Sequence, residues 1–310
     1  MKSTGILSFV SKLVLATCAL WGAGPALLHA ELKVVTLHPL MTDLAKRVGG
    51  SHASVTALMN PGEDIHRFSP SSSDMAAARA ADVVLASGKG LELYLPRLRS
   101  TLGGETRVIE AGNAVPSIKI SAKDALFVCC PQHAVGSIDP HWWHSISGMR
   151  KAASYVAKEF GKADPSNAKA YEANATSYAR ELDSLSSWAK QQLATVPRSS
   201  RILVTGHAAF AYFCKEFGFK SIPVAGLSEE TVSSQYLSEA ITQIRKTGVR
   251  TVFPEQGTNP KSIDSLVDAA KVGKGKALVA DGSATGISTY EAFVRQNVGA
   301  IVAGLGGASS

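Results

Sequence analysis

The sequence predicts an α/β protein of two similar lobes, each a parallel sheet flanked by helices, joined by one long backbone helix. Three observations carry that prediction. After Glu31, short β-rich runs alternate with helical stretches, the pattern of strands linked by crossover helices. The alternation occurs twice. Between its two rounds lies a polar helical pattern, roughly 165–195, which at 1.5 Å per residue makes a spine of about 45 Å.

In the first half, KVVTLH (33–38), SVTALM (54–59), DVVLAS (82–87) and TRVIEA (106–111) read as strands, with helices over 40–48, 72–80 and 91–101. Residues 112–140 lack periodicity and are rich in Pro, Ser and Gly. A loop of that length inside a compact domain is usually functional or disordered. A helix follows over about 145–160. Asp164 then suits an N-cap and Pro165 a first helical turn, where its missing N–H costs nothing. Leu182, Leu185, Trp188, Ala189 and Leu193 give the long helix an apolar stripe at helical spacing.

The second half reads as strands RILVTG (201–206), KSIPVAG (220–226), RTVFPE (250–255) and KALVAD (276–281). Helices are expected over 208–217, 233–247, 260–270 and 288–304, with Tyr290, Phe293, Val294, Ile301 and Val302 as packing groups of the last. The expected organisation is an N-terminal lobe over 31–163, the connecting helix over 164–197 and a C-terminal lobe over 198–310.

A chain of 310 residues that is 45% hydrophobic and 18% charged excludes disorder, collagen and a multi-pass membrane protein. The net charge is +7, and removing Lys2 and Lys12 with the first 30 residues leaves +5. The cations are scattered, so no nucleic-acid footprint is present. Residues 1–30 read as a signal peptide: Lys2 in a short leading region, an apolar stretch ending LVLATCALWGAG, then small residues. That stretch is shorter than a spanning helix requires. The reading is export to the periplasm with cleavage near Ala30, and the minority alternative is lipid anchoring at Cys18 within LATC. Cys129, Cys130 and Cys214 remain afterwards. A bridge from Cys214 to one of the pair is open, although Cys214 within AFAYFCKEF reads better as a small core residue. Without a CxxC word, thiol oxidoreductase chemistry has little support.

Parallel α/β sheets gather ligands outside the carboxyl ends of their strands. His66 follows strand 54–59 and His141 ends the long loop, while His207 follows strand 201–206 and Asp281 closes strand 276–281. Two groups come from each half. Three imidazoles and one carboxylate suit a divalent transition metal.

The words around these residues resemble those of the metal-binding proteins of zinc and manganese ABC importers. NPGEDIHRFSPSSSD is similar to that family's first-ligand segment, DPHWWHS to its second, TGHAAFAYFCKEFGF to its third, and LVAD to its final carboxylate; the likeness runs over residues 31–305. The resemblance implies His66, His141, His207 and Asp281 as ligands, with the metal site in the cleft between lobes. It also implies a monomeric receptor that carries Zn2+ to the membrane permease of a metal ABC importer, with a separate ATPase driving transport and Mn2+ or iron as alternative cargo. The chain departs from the family in having Asp64-Ile65-His66 where Asp-Pro-His is usual, and in FVCCPQHAVGSI, which offers only His133 where many zinc members carry a His-rich loop. Manganese-preferring members commonly have Glu at the position of His207. A third imidazole favours zinc over the harder manganese.

Other groups near the strand ends have less specific readings. His38 is expected to pack or to hydrogen-bond, and His52 to be solvated. His144 either orients a neighbour or ligates, and Glu255 orients a ligand or binds metal. Trp142 and Trp143 are expected to wall the cleft. A zinc hydrolase is the distant alternative, with Glu63, Asp64 or Glu255 as base. No HExxH or GxSxG word supports it. An adhesin would be compatible with the same fold, but no residue singles it out. Because imidazoles bind metal only when neutral, affinity is expected to fall below about pH 6.5.

Overall fold

The computed structural model describes residues 30–119, 138–224, 234–257, 261–282, 284 and 286–306. Its first half is a four-stranded parallel sheet in the order β2-β1-β3-β4, formed by Leu32–Thr36 (β1), Ala53–Ala57 (β2), Val83–Ala86 (β3) and Arg107–Glu110 (β4). Helices Pro39–Gly49 (α1), Ser72–Arg79 (α2) and Leu95–Thr101 (α3) link them. The chain winds outward from β1 in both directions, which leaves a switch point between β1 and β3 where such sheets bind ligands.

The helices start where the local chemistry provides caps. Pro39 opens α1 behind His38, whose ring accepts from Leu40 N. Ser71 and Asp74 close a reciprocal capping box on α2. Helix α3 begins at Leu95, later than expected from the sequence. Glu92 turns back instead, and its buried carboxylate accepts from Ser87 N at 2.6 Å and Gly88 N at 3.0 Å.

That carboxyl gives a stability prediction. Burial raises its pKa from 4.5 to about 7, while the Gly88 and Ser87 N–H groups partly oppose the shift. A raised folded-state value means its contribution is full below the unfolded pKa and is lost as pH rises through about 7. Glu92→Gln is therefore expected to remove about 3 kcal/mol of the decline in unfolding free energy between pH 4.5 and 8, measured by urea titration. An unaltered pH profile in the variant would refute this.

The chain then runs through Ile146–Ala163 (α4) into Ala168–Ala194 (α5), the long helix. Asp164 takes the N-cap position, with Pro165 next, of a 3-10 turn that leads into α5, but its side chain makes no cap hydrogen bond. Its carboxylate accepts from Tyr171 Oη and Asn167 Nδ2, both at 2.7 Å, and Pro165–Asn167 forms a separate 3-10 turn. Tyr171, Ala175, Tyr178, Leu182, Leu185, Ala189 and Leu193 form the buried stripe of α5 at spacings of three and four. Trp188 is half-buried, and the Arg295 guanidinium lies 4.4 Å from its ring centroid.

In the second half, Ile202–Thr205 (β5) pairs in parallel with Lys220–Pro223 (β6), and Thr251–Val252 (β7) with Gly273–Lys274 (β8). Helices Ala211–Phe217 (α6), Ser234–Thr247 (α7), Lys261–Ala270 (α8) and Tyr290–Leu305 (α9) complete it. A parallel bridge from Thr205 to Phe253 joins the two pairs. The expected strand KALVAD (276–281) is corrected: regular pairing ends at Lys274, and only a Glu255–Leu278 bridge continues the direction. RTVFPE likewise shrinks to two paired residues. Gly275 N still donates to Val252 O at 2.8 Å, and a Cβ there would come within 2.6 Å of the Phe253 ring, so the ring packs tightly where the pairing ends.

Residues 31–310 group as one compact unit. One buried cluster runs from Leu44 of α1 through Phe160, Tyr171 and Leu182 to Phe210 and Phe293. Glu216 of α6 adds a polar tie to the start of α4, accepting from Ser145 Oγ and from Ser147 Oγ at 2.9 Å. Asp43 of α1 accepts from Tyr290 N of α9 at 2.9 Å.

Candidate metal centre

Four side chains converge beyond the carboxyl ends of the strands. His66 stands on the loop after β2, shaped by Asp64, whose Oδ1 accepts from His66 N at 2.9 Å. His141 immediately precedes the 3-10 turn Trp142–His144 that leads into α4. His207 lies two residues beyond β5, and Asp281 three beyond the Leu278 bridge. Each offers one donor atom, and the four atoms lie within 4.8 Å of one another. Asp281 Oδ1 is 3.5 Å from His66 Nε2, 3.6 Å from His207 Nε2 and 4.0 Å from His141 Nε2, while His66 Nε2 and His141 Nε2 are 3.4 Å apart. A tetrahedron with metal–ligand distances of about 2.0–2.2 Å has edges of about 3.3–3.6 Å. Four of the six edges, at 3.4–4.0 Å, therefore stand close to the spacing a four-coordinate cation needs.

Hydrogen bonds behind two of the rings set their tautomers. His141 N and Nδ1 both donate to Asp139 Oδ1, at 2.9 and 2.8 Å. His207 N donates to Glu255 Oε1 at 3.1 Å, and its Nδ1 to Oε2 at 2.5 Å. Ionised carboxylates only accept, so each Nδ1 carries its proton and each Nε2 can present a lone pair to the centre. Asp281 Oδ1 is buried, with no partner at normal hydrogen-bond distance among the described residues. Converging lone pairs and a carboxylate oxygen without a donor are costly unless a cation neutralises them.

Burial and the neighbouring charges shift these groups in different directions. Burial, then the neighbouring His207 and His66, hold the His141 imidazole well below its ordinary value. For His207 burial alone would lower the value, but Glu255 and Asp281 outweigh it and raise it well above the usual range. Asp281 would be raised by burial, yet His207 and His66 hold it well below the ordinary carboxylate.

Around the centre, Ala280 O accepts from Trp143 Nε1 at 2.9 Å and from His144 Nε2 at 2.8 Å. His144 therefore pins the backbone beside Asp281 and lies outside the donor set. Burial lowers its pKa to about 3. Trp143 walls the site as expected, its ring centroid 5.2 Å from that of His141. Trp142 does not: its indole N–H donates to Ser87 O and Oγ, and Gly112 leaves room for it beside the sheet. Glu63 and Asp64 shape their own loop, Glu63 accepting from Asn60 and Asp64 from His66 N. His52 is half-buried against Tyr171 rather than solvated, with ring centroids 6.4 Å apart. Cys214 is a buried free thiol, pushed up to about 12 by burial. Cys18, Cys129, Cys130 and His133 lie outside the described residues. Sequence reasoning passed over Asp139. The signal was present in the DPH word, which puts a carboxylate two residues before an imidazole, within reach of its Nδ1.

Comparison with known proteins bears on this arrangement. The chain is 32% identical over 310 residues to the manganese-binding lipoprotein MntA of Bacillus subtilis, covering 96% of this chain and 98% of that protein. It is 27% identical to the iron-binding protein YfeA of Yersinia pestis, covering 97% and 94%. In three dimensions it superposes on the periplasmic zinc-binding protein TroA from Treponema pallidum with a TM-score of 0.78 and 26% identity, over 89% of this chain and 99% of that one. The match to TroA bears out the two-lobed α/β architecture with a long central helix. All three relatives are named for a metal they bind, and none as an enzyme. With residues 34–304 matching the model of ZnuA, the periplasmic component A of a zinc-uptake complex, the chain belongs to that family.

Proposed function

We propose that this protein is an extracytoplasmic receptor that captures one divalent transition metal ion through His66, His141, His207 and Asp281 and delivers it to an ABC-type import permease. The carrying observation is the convergence of three imidazole nitrogens and one carboxylate oxygen within 4.8 Å, two groups from each half of the chain. The cation is cargo rather than a catalytic resident. It enters between the halves, and a modest relative movement of the two opens the site for release. Lobes over 31–163 and 198–310, the connecting segment over 164–197, a monomeric state and a periplasmic location after loss of residues 1–30 belong to this reading. Among the described residues no helix is long and apolar enough to cross a membrane.

Zinc is the cargo this donor set favours. Three imidazoles with one carboxylate at near-tetrahedral spacing suit a borderline ion, whereas manganese prefers oxygen donors and higher coordination. Manganese is the second reading, supported by the name of the Bacillus subtilis relative. Elemental analysis of protein purified from its native compartment is expected to find about one zinc per chain, and competition to favour zinc over manganese. Manganese at that stoichiometry with tighter manganese binding would reverse the choice of cargo. Absence of any bound metal together with no saturable titration would overturn the receptor itself.

A further inference from the structure

His38 lies at the switch point of the first sheet, directly after β1 and wholly buried. Its Nδ1 accepts from Leu40 N at 3.0 Å, as the N-cap of α1. That bond requires a lone pair on Nδ1, so in the neutral ring the proton sits on Nε2. Nε2 is therefore a donor and, while the cap holds, cannot ligate a metal. It is also buried with no hydrogen-bond partner among the described residues. The ring is held in place on two sides. Its centroid is 4.6 Å from that of Trp143, and a Cβ built on Gly282 would come within 2.5 Å of His38 Cε1. Its Cε1 edge thus abuts the residue that follows Asp281. Of the charged groups acting on this imidazole, Asp281 has the largest electrostatic effect.

A buried N–H on a ring that abuts the residue after Asp281, with no partner among the described residues, has one obvious use. Resting on the cation-site reading above, we propose that His38 is a positioning residue: its Nε2–H holds the Asp281 carboxylate, directly or through one water, so that only one oxygen reaches the ion. A carboxylate tied in this way cannot chelate with both oxygens. The donor count then stays at four, which favours a tetrahedral ion such as zinc and disfavours manganese, which takes more oxygen donors. The cap and the N–H are thus two functions of one ring, and a substitution can separate them.

The His38→Asn variant would keep an acceptor for Leu40 N, since Asn is a good N-cap, and would lose the long N–H reach. The His38→Phe variant would keep a ring against Trp143 and lose both polar functions. Zinc, manganese and cobalt(II) titrations of wild type, His38→Asn, His38→Phe and His207→Ala, with thermal melting of each metal-free protein, test the proposal. His38→Asn is expected to melt as wild type does, to weaken zinc about tenfold and to leave manganese nearly unchanged. The strong visible absorption of four-coordinate cobalt should weaken in both His38 variants, as a fifth donor joins. An unchanged zinc-to-manganese ratio with an unchanged cobalt spectrum, or equal losses for both metals, overturns the role of His38 while His207→Ala still abolishes binding. Wild-type zinc affinity in His207→Ala would overturn the cation site, and the proposal with it.

Discussion

Replacing His207 by Ala is expected to weaken zinc binding by at least about 10²-fold while leaving the fold in place. Zinc sites with four protein donors have apparent binding free energies of about 10–16 kcal/mol, so one donor is worth about 3 kcal/mol. His207 is fully buried, which keeps water from filling its place cheaply. The variant has a second effect, because Glu255 loses the imidazole that it holds through Nδ1. An ion-pair partner left alone in the interior destabilises a protein strongly. Adding Glu255→Gln to His207→Ala should therefore recover part of the lost melting temperature without restoring zinc affinity. Zinc affinity unchanged in the single variant would remove His207 from the donor set.

The elements that the sequence made legible are those with strong local signals. The central strands β1 and β3 are largely buried runs rich in Val, the edge strands β2 and β4 are part-exposed but still carry β-branched residues, and their parallel order follows from crossover helices at ordinary spacing. The stripe of α5 was readable in its second half, where three- and four-residue spacings run from Leu182 to Leu193. KALVAD misled because a short apolar run is equally suited to a buried extended segment. What decides between the two is packing around Phe253 and Gly275, contacts that no local pattern announces. Asp164 and Pro165 stand where the sequence placed them, but the carboxylate is drawn away from capping by Tyr171, one helical turn into α5. The four candidate donors were found because each follows or closes a strand-like run and sits within a word that is unusual in composition. Their supports were harder to see. Glu255 pairs with His207 across 48 positions and Trp143 with Ala280 across 137, and such distances carry no periodic trace. The two tryptophans, adjacent in sequence, divide between the site and the first sheet because the 3-10 turn they occupy points successive side chains in different directions.

Zinc binding is expected to release a proton near neutral pH and to weaken about tenfold for each unit of acidification below the titration of His207. The sequence alone places that loss below about pH 6.5, and the structure moves it upward. Glu255 and Asp281 hold the His207 imidazole well above its ordinary value, against the opposing effect of burial. That direction favours a second proton on the His207 ring in the metal-free protein, where Nε2 lies 3.6 Å from Asp281 Oδ1. The arriving cation takes the place of that proton. Asp281, held well below the carboxylate range, and His141, kept neutral by burial, bring no proton of their own at pH 6–8. The same raised value has an opposite effect on the empty protein. A histidine whose folded-state pKa lies above its unfolded one contributes stability that is full below about pH 6.5 and is lost as pH rises through the folded value. Mild acid therefore stabilises the empty receptor while it weakens the complex, and the melting-temperature gain on adding zinc should shrink steadily from pH 8 to pH 6. Calorimetric titration in buffers of different ionisation enthalpy counts the released proton directly. A count near zero at pH 7, with zinc affinity flat over that range, would mean that His207 is neutral before the ion arrives.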